Sequence, residues 1–178
     1  TGGVSTRSLP NGWSTATVDE LAELVEYGTS AKTSEDPTDV IVLRMGNIVD
    51  GKLDLDSLKY LPAEHDEFPK LLLKAGDVLF NRTNSPELVG KSAVFKGTPS
   101  PFSFASYLIR VRLGPACAPE YLTNFINSTF GRHWVKSVVT QQVGQANVNG
   151  SKLRALEVPL APIAEQRRII DAIEQHFS

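Results

Sequence analysis

Hydrophobic and polar positions follow two different periods along the chain, and each change of period marks a change of element. Leu21, Leu24 and Val25 recur at helical spacing behind Thr17-Val18-Asp19-Glu20, whose Thr and Glu are placed for a capping box, so a helix is predicted through Val25. Val40-Ile41-Val42-Leu43 is an unbroken apolar run that predicts a buried strand, and Asp50-Gly51 predicts a tight turn. The polar stretch Glu64 to Lys70 predicts a short helix ahead of Leu71-Leu72-Leu73. Lys74-Ala75-Gly76-Asp77 then turns the chain into a strand at Val78-Leu79-Phe80, and alternation predicts two more over Val89 to Phe95 and Tyr107 to Leu113. The middle third is mainly sheet.

Helical spacing returns after Pro119, which suits a first helical turn: Tyr121, Leu122, Phe125 and Ile126 form one apolar stripe, and Phe130, Trp134, Val135 and Val138 a second. An amide-rich tract, Gln141 to Lys152, leads into a buried-looking strand at Leu156-Glu157-Val158-Pro159-Leu160. The last helix begins near Ile163 and places Ile163, Ile170 and Phe177 seven residues apart with Ile173 between them, in the a and d positions of a heptad. A helix of roughly 15 residues is marginal in water without a packing partner, so this one is expected to dock on the domain, on another chain or on a continuation. The fold class predicted is α+β.

With 178 residues and 41% hydrophobic content, the chain has the length and composition of one globular domain. It has no apolar run long enough to span a bilayer and no basic-then-apolar leader, so membrane insertion and secretion are not expected and the cytoplasm is. Cys117 stands alone, which excludes an intrachain disulfide or a multi-cysteine metal site and suits a buried structural thiol. Met45 is the only methionine and the chain starts Thr1-Gly2-Gly3, so a piece of something longer is expected.

The net charge of −2 conceals an asymmetry: residues 1–69 carry −8, residues 70–112 carry +5 and residues 113–178 carry +1. Between Leu88 and Leu156, Lys91, Lys96, Arg110, Arg112, Arg132, Lys136, Lys152 and Arg154 face a single acid, Glu120. Such a stretch provides a local positive field for phosphates, unless its charges scatter over separate solvated faces. Side-chain amides carry a donor beside an acceptor, so the Gln141 to Asn147 tract matches the paired groups on an adenine edge; the same residues also compose ordinary surface loops.

No reaction centre is visible. Gly90-Lys91-Ser92 imitates the end of a phosphate-binding loop, but Ser85 stands where that motif needs glycine. Asp39 with Asp50-Gly51-Lys52 loosely imitates the carboxylates and lysine of metal-dependent nucleases, though Asp50-Gly51 reads more simply as a turn. There is neither an Asn-Pro-Pro-aromatic motif nor a glycine-rich cofactor loop, as an adenine methyltransferase requires, and His65, His133 and His176 lie far apart. No metal and no cofactor is expected.

Several segments taken in order carry a resemblance: Leu9-Pro10-Asn11-Gly12-Trp13, Leu43-Arg44-Met45-Gly46-Asn47-Ile48, Lys74-Ala75-Gly76-Asp77-Val78-Leu79-Phe80-Asn81-Arg82, and Gly144-Gln145-Ala146-Asn147-Val148 through Pro159-Leu160-Ala161-Pro162 to Glu165-Gln166. Together they resemble a target recognition domain of the specificity subunit of a Type I DNA restriction-modification system. The resemblance implies a mixed, curved β-sheet domain over residues 1–162 and the start of a long spacer, or coiled-coil, helix over residues 163–178. It also implies a non-catalytic module that reads one half of a bipartite double-stranded DNA target, with methyltransferase subunits and, through them, a restriction subunit as partners. A second recognition domain, or self-dimerisation through the C-terminal helix, would complete the pair.

Sorted by chemistry, the DNA contacts expected are Arg44, Asn47, Asn81, Arg82, Thr83, Asn84, Ser85, Tyr107, Arg110, Gln141, Gln142, Gln145 and Asn147, with Lys91, Lys136 and Lys152 for phosphate. Asn47 and Asn84 also suit turns, Tyr107 the core, and Arg110 a strand face turned to solvent. Glu165-Gln166 suits capping of backbone groups rather than catalysis. The reading that competes with DNA recognition is a protein-interaction adaptor that uses the terminal helix.

Overall fold

The computed structural model describes residues 8–177. Strand β1 (Ser14–Thr17) runs into a single helical turn, α1 (Val18–Leu21), and out into β2 (Ala22–Tyr27). The capping box forms as the sequence predicts, Thr17 Oγ1 accepting from Glu20 N and the Glu20 carboxylate from Thr17 N. The bonds that Thr17 N and Thr17 Oγ1 donate to the Glu20 carboxylate hold its pKa below the ordinary value. The helix expected through Val25 nevertheless stops at Leu21, because the next residues pair with a central strand and spend their backbone groups there.

Strand β3 (Val40–Leu43), a 3-10 turn at Met45–Asn47, the hairpin β4 (Ile48–Val49) and β5 (Lys52–Leu53), and β6 (Lys59–Leu61) follow. Asp50 and Gly51 form the hairpin turn at φ 51° and 76°, as their dipeptide predicts. The short helix predicted over Glu64 to Lys70 is instead a series of turns. Then come β7 (Val78–Asn81), β8 (Thr83–Asn84), β9 (Ser92–Val94), β10 (Phe102–Phe104) and β11 (Leu108–Leu113). Only the end of the Val89 to Phe95 segment is strand, since Leu88 and Val89 donate back to the Ser85 carbonyl in a turn. Two helices, α2 (Pro119–Asn127) and α3 (Thr129–Val138), precede the hairpin β12 (Thr140–Gln142) and β13 (Gln145–Asn147). The chain continues through the short α4 (Gly150–Arg154), which the sequence pattern did not predict, then β14 (Glu157–Leu160) and α5 (Ile163–Phe177).

A four-stranded antiparallel sheet, ordered β2-β11-β7-β9, divides the interior. Because side chains alternate across a strand, Val78, Phe80, Ile109 and Val111 join the core under α2 and α3, while Leu79, Leu108 and Ala93 join a second core with Leu43, Phe102 and Phe104. Those last three belong to a mixed sheet, β10-β3-β6, in which β10 and β3 run parallel. The fold is therefore α+β, as predicted. An early and a late segment of the described chain meet: β1 pairs antiparallel with β14, and Trp13 Nε1 donates to Glu165 Oε2 at 3.1 Å.

Gln166 fixes the start of α5. Its Oε1 accepts from Ala118 N, the N-cap of α2, at 2.9 Å, and its Nε2 donates to the carbonyls of Ala116 and Ala161 at 2.9 and 2.8 Å. Ile169 and Ile170 pack on the main core, whereas the side chains of residues 171, 172 and 174–176 are exposed. No helix among the described residues is long and apolar enough to cross a membrane.

Candidate nucleic-acid interface

The amide tract folds into a hairpin that extends a small sheet. β12, β13 and β8 lie side by side, with Ala146 opposite both Gln141 and Asn84 and Asn147 opposite both Thr140 and Thr83. Ala146 is sealed in the main core and anchors the hairpin; Gln141, Gln142, Val143, Gly144 and Gln145 are exposed at its free end. Gly144 closes the turn at φ 77°, a conformation that favours glycine. The predicted loop is thus a two-stranded ribbon carrying three glutamines.

Arg82 sits at the root of this ribbon. Its Nε donates to Ser106 O at 2.6 Å, and its Nη1 lies 3.3 Å from Thr83 Oγ1 and 3.2 Å from Asn147 Oδ1. Thr83 Oγ1 donates to the same Asn147 oxygen at 2.7 Å. The guanidinium carbon stands 4.9 Å from the Tyr27 ring centroid and 5.6 Å from that of Tyr107, both distances at which a cation is attracted to the ring face. Both tyrosines are partly exposed, and the Tyr27 hydroxyl accepts from Gly150 N at 2.7 Å, which ties this cluster to α4.

Tyr27 was missed by the sequence pattern because the preceding residues read as helix. Gly28 held a signal: a Cβ there would sit 2.3 Å from the carbonyl oxygens of Phe104 and Ala105, so only glycine lets β2 approach the Ser106-Tyr107 turn this closely. Next to Tyr27 lies an open hollow lined by Glu26, Asp66, Glu67, Lys70 and Leu71, in which Glu26 is already paired with Arg110 and Lys70.

Of the other residues expected at DNA, several are interior. Arg110 is fully buried: it shares the strand face of Leu108, and its guanidinium pairs with Glu26 and Asp77 and donates to the carbonyls of Lys70 and Leu72. It is a core cation rather than a surface contact. Asn47, 3% exposed, accepts from Arg44 N and donates to the carbonyls of Asp54 and Ser57, so its amide is spent on the 3-10 turn. Asn81 is 1% exposed, with its side-chain oxygen enclosed and unpartnered. Burial removes all three from direct contact with a ligand.

Arg44 is half-buried and reaches Ser57, away from Arg82 in the chain and tied to its own loop. Asn84 accepts from Ser85 N at 2.8 Å, a local turn bond that leaves both residues partly exposed beside the ribbon. Lys152 Nζ donates to the Val138 carbonyl at the end of α3. Lys136 is exposed on the last turn of α3, just before the ribbon, and Lys91 is half-exposed, its backbone carbonyl accepting from Asn81 N.

The basic stretch is partly neutralised by two carboxylates of the acidic N-terminal third and by Asp77. Arg110 meets Glu26, Arg154 meets Asp19, and Asp77 takes Arg112 in a two-bonded pair at 2.8 and 2.9 Å that raises the Arg112 pKa. Arg132 is held by the carbonyls of Glu87 and Val89, and burial lowers its pKa. Arg82 has no acidic partner among the described residues.

The residues that imitated a nuclease serve the backbone. Asp39 accepts from Ala63 N at 3.0 Å, and Asp50 forms the β4–β5 turn. Among the described residues no group of three or more His, Cys, Asp or Glu is placed to hold a metal ion.

A sequence model of the family described as "Type I restriction modification DNA specificity domain" matches residues 10–178. The chain belongs to this family. Among curated members it is 31% identical over 160 residues to the EcoKI specificity subunit of Escherichia coli, covering 89% of this chain and 34% of that protein. It is 28% identical over 163 residues to a putative MjaX specificity subunit of Methanocaldococcus jannaschii, covering 90% of this chain and 38% of that one. The HsdS subunit of Thermoanaerobacter tengcongensis shares the fold, with a TM-score of 0.67 at 18% identity over 96% of this chain and 38% of that chain. The chain thus spans about a third of the length of the family members it matches.

Proposed function

We propose that this chain is a DNA-reading unit of a Type I specificity subunit: it recognises one half of a bipartite double-stranded target and directs adenine methylation or restriction carried out by partner subunits, without catalysing either. The observation that carries this reading is the ribbon of Gln141, Gln142 and Gln145 standing beside Arg82, a cation held by two tyrosines and paired with no carboxylate among the described residues. A two-stranded ribbon fits the major groove of B-DNA, and exposed amides match base edges there. Asn84, Ser85, Tyr107 and Asn147 flank it, while Thr83, also expected at DNA, is buried at 7% exposure with its hydroxyl donated to Asn147; Lys91 and Lys136 serve as phosphate contacts and Lys152 supports the ribbon's base.

The exposed side chains of α5 beyond Ile170 support its reading as the start of a spacer helix toward a second recognition domain or a second copy, and as a surface for methyltransferase subunits. Its first two turns belong to the domain, through Gln166 and Ile170.

The test is a binding titration across a salt series, with the chain alone and with its methyltransferase partner. Salt-sensitive, sequence-selective DNA binding is expected. Gln145→Ala alters sequence preference, whereas Lys91→Ala weakens all sequences alike. Absence of salt-sensitive binding in both arms overturns the reading and favours an adaptor that works through α5.

A further inference from the structure

Resting on that reading, we infer that the Arg82–Asn147 pair reads guanine in the major groove, not the adenine that an asparagine by itself suggests. The argument turns on which way the Asn147 amide faces. A guanidinium carries only donors, so the Asn147 atom 3.2 Å from Arg82 Nη1 must be the carbonyl oxygen. Thr83 donates to the same oxygen, which leaves its acceptor capacity filled from within the protein. Asn147 therefore offers a ligand only its Nδ2 donors.

Arg82 is in the same condition. Nε is committed to Ser106 and Nη1 to Thr83 and Asn147, while Nη2 has no acceptor among the described residues. Both side chains are half-open to solvent, and neither Nη2 nor Nδ2 is enclosed as Asn81 Oδ1 is. The aromatic faces of Tyr27 and Tyr107 hold the guanidinium in place, so its free edge is presented in a fixed direction.

A pair of side chains that offers donors alone matches an acceptor-only edge, and of the two purines only guanine presents one in the major groove. Guanine offers O6 and N7 side by side; adenine pairs its N7 acceptor with the N6 donor, and that donor would meet another donor here. The glutamines of the ribbon are exposed, have no side-chain hydrogen bond among the described residues and are under no such restriction.

The test uses the full assembly from the source organism and a randomised duplex library, followed by single-base replacements in the selected target. At one guanine of a half-site, 7-deazaguanine, which lacks N7, is expected to weaken binding about tenfold, while inosine, which keeps O6 and N7, changes it by less than about twofold. Asn147→Asp keeps the oxygen that faces Arg82 and Thr83 and replaces the outward donor by an acceptor. It is expected to abolish the guanine preference at that position and leave the others unchanged, with a thermal midpoint at or above that of the wild type. Arg82→Lys, which cannot fill the space between the two rings, should relax the same position. A wild-type half-site without a 7-deaza-sensitive guanine, an unchanged motif for Asn147→Asp, or equal weakening at every position overturns the guanine assignment and leaves DNA reading intact. A wild-type assembly that enriches no motif overturns the underlying reading itself.

Discussion

At Gln166 one amide satisfies three backbone groups in two segments, Ala116 and Ala118 before α2 and Ala161 after β14. Gln166→Leu preserves bulk and strands all three, so a loss of about 3 kcal/mol is expected from the cost of unmade buried hydrogen bonds, read as a lowered urea midpoint. Glu165-Gln166 could be recognised in the sequence as a capping pair, but its partners could not, since they lie up to 50 residues away. Arg110 shows the converse. Its type and place on an alternating strand were legible, yet only tertiary packing reveals that the face it shares with Leu108 is interior. Cys117 bears out its expected burial, which pushes the thiol pKa up to about 12. Because the folded pKa lies above the unfolded value of about 8.5, the thiol favours the folded state most at lower pH and loses that contribution as pH rises through this window. Wild-type unfolding free energy should therefore fall more steeply than that of Cys117→Ala between about pH 9 and 11, by up to about 1.4 kcal/mol per pH unit; parallel curves would refute it.

Local signals and tertiary pairing disagree most at the elements near the chain ends. The Thr17-Glu20 capping box was readable and it forms, but one turn later the backbone of β2 finds its partners on β11. Reading that segment as helix hid Tyr27, the residue that completes the stack on Arg82. The heptad of α5 was also readable, although its d position at residue 166 holds glutamine and faces the domain's own backbone. The sequence pattern alone does not divide such a helix between domain and spacer. The packing suggests a division after Ile170, which makes a truncation test specific. Removing residues 171–178 should lower stability by less than about 1 kcal/mol, because only exposed or half-exposed described side chains go with it, whereas ending the chain at Pro162 removes Gln166 and Ile170 and should abolish cooperative unfolding by circular dichroism.

On the scale of the whole molecule, the charge asymmetry of the sequence is spent largely on folding. The acidic N-terminal third supplies Asp19 and Glu26, and β7 begins beside Asp77; these carboxylates take Arg154, Arg110 and Arg112. A count of basic residues along the chain therefore overstates the field available to DNA. Arg132 and Lys152 keep their charge but are tied to backbone carbonyls, so among the described residues the cations of this stretch left free to reach phosphate are Lys91, Lys96 and Lys136, with Arg82 just ahead of it. Each phosphate neutralised contributes about −0.9 to the slope of log affinity against log salt. If this domain binds DNA through these cations, with Arg82 committed to a base, its slope should lie near −3, on the order of three phosphate contacts, and not near the −7 that eight free basic residues would give with the same assignment. Lys136→Ala should make the slope shallower by about 0.9 without changing which sequence is preferred, while Arg154→Ala should leave the slope unaltered, since Asp19 already neutralises that charge. A wild-type slope steeper than about −5 would mean that the ion pairs with the N-terminal third open when DNA binds, and would return the full basic stretch to the interface.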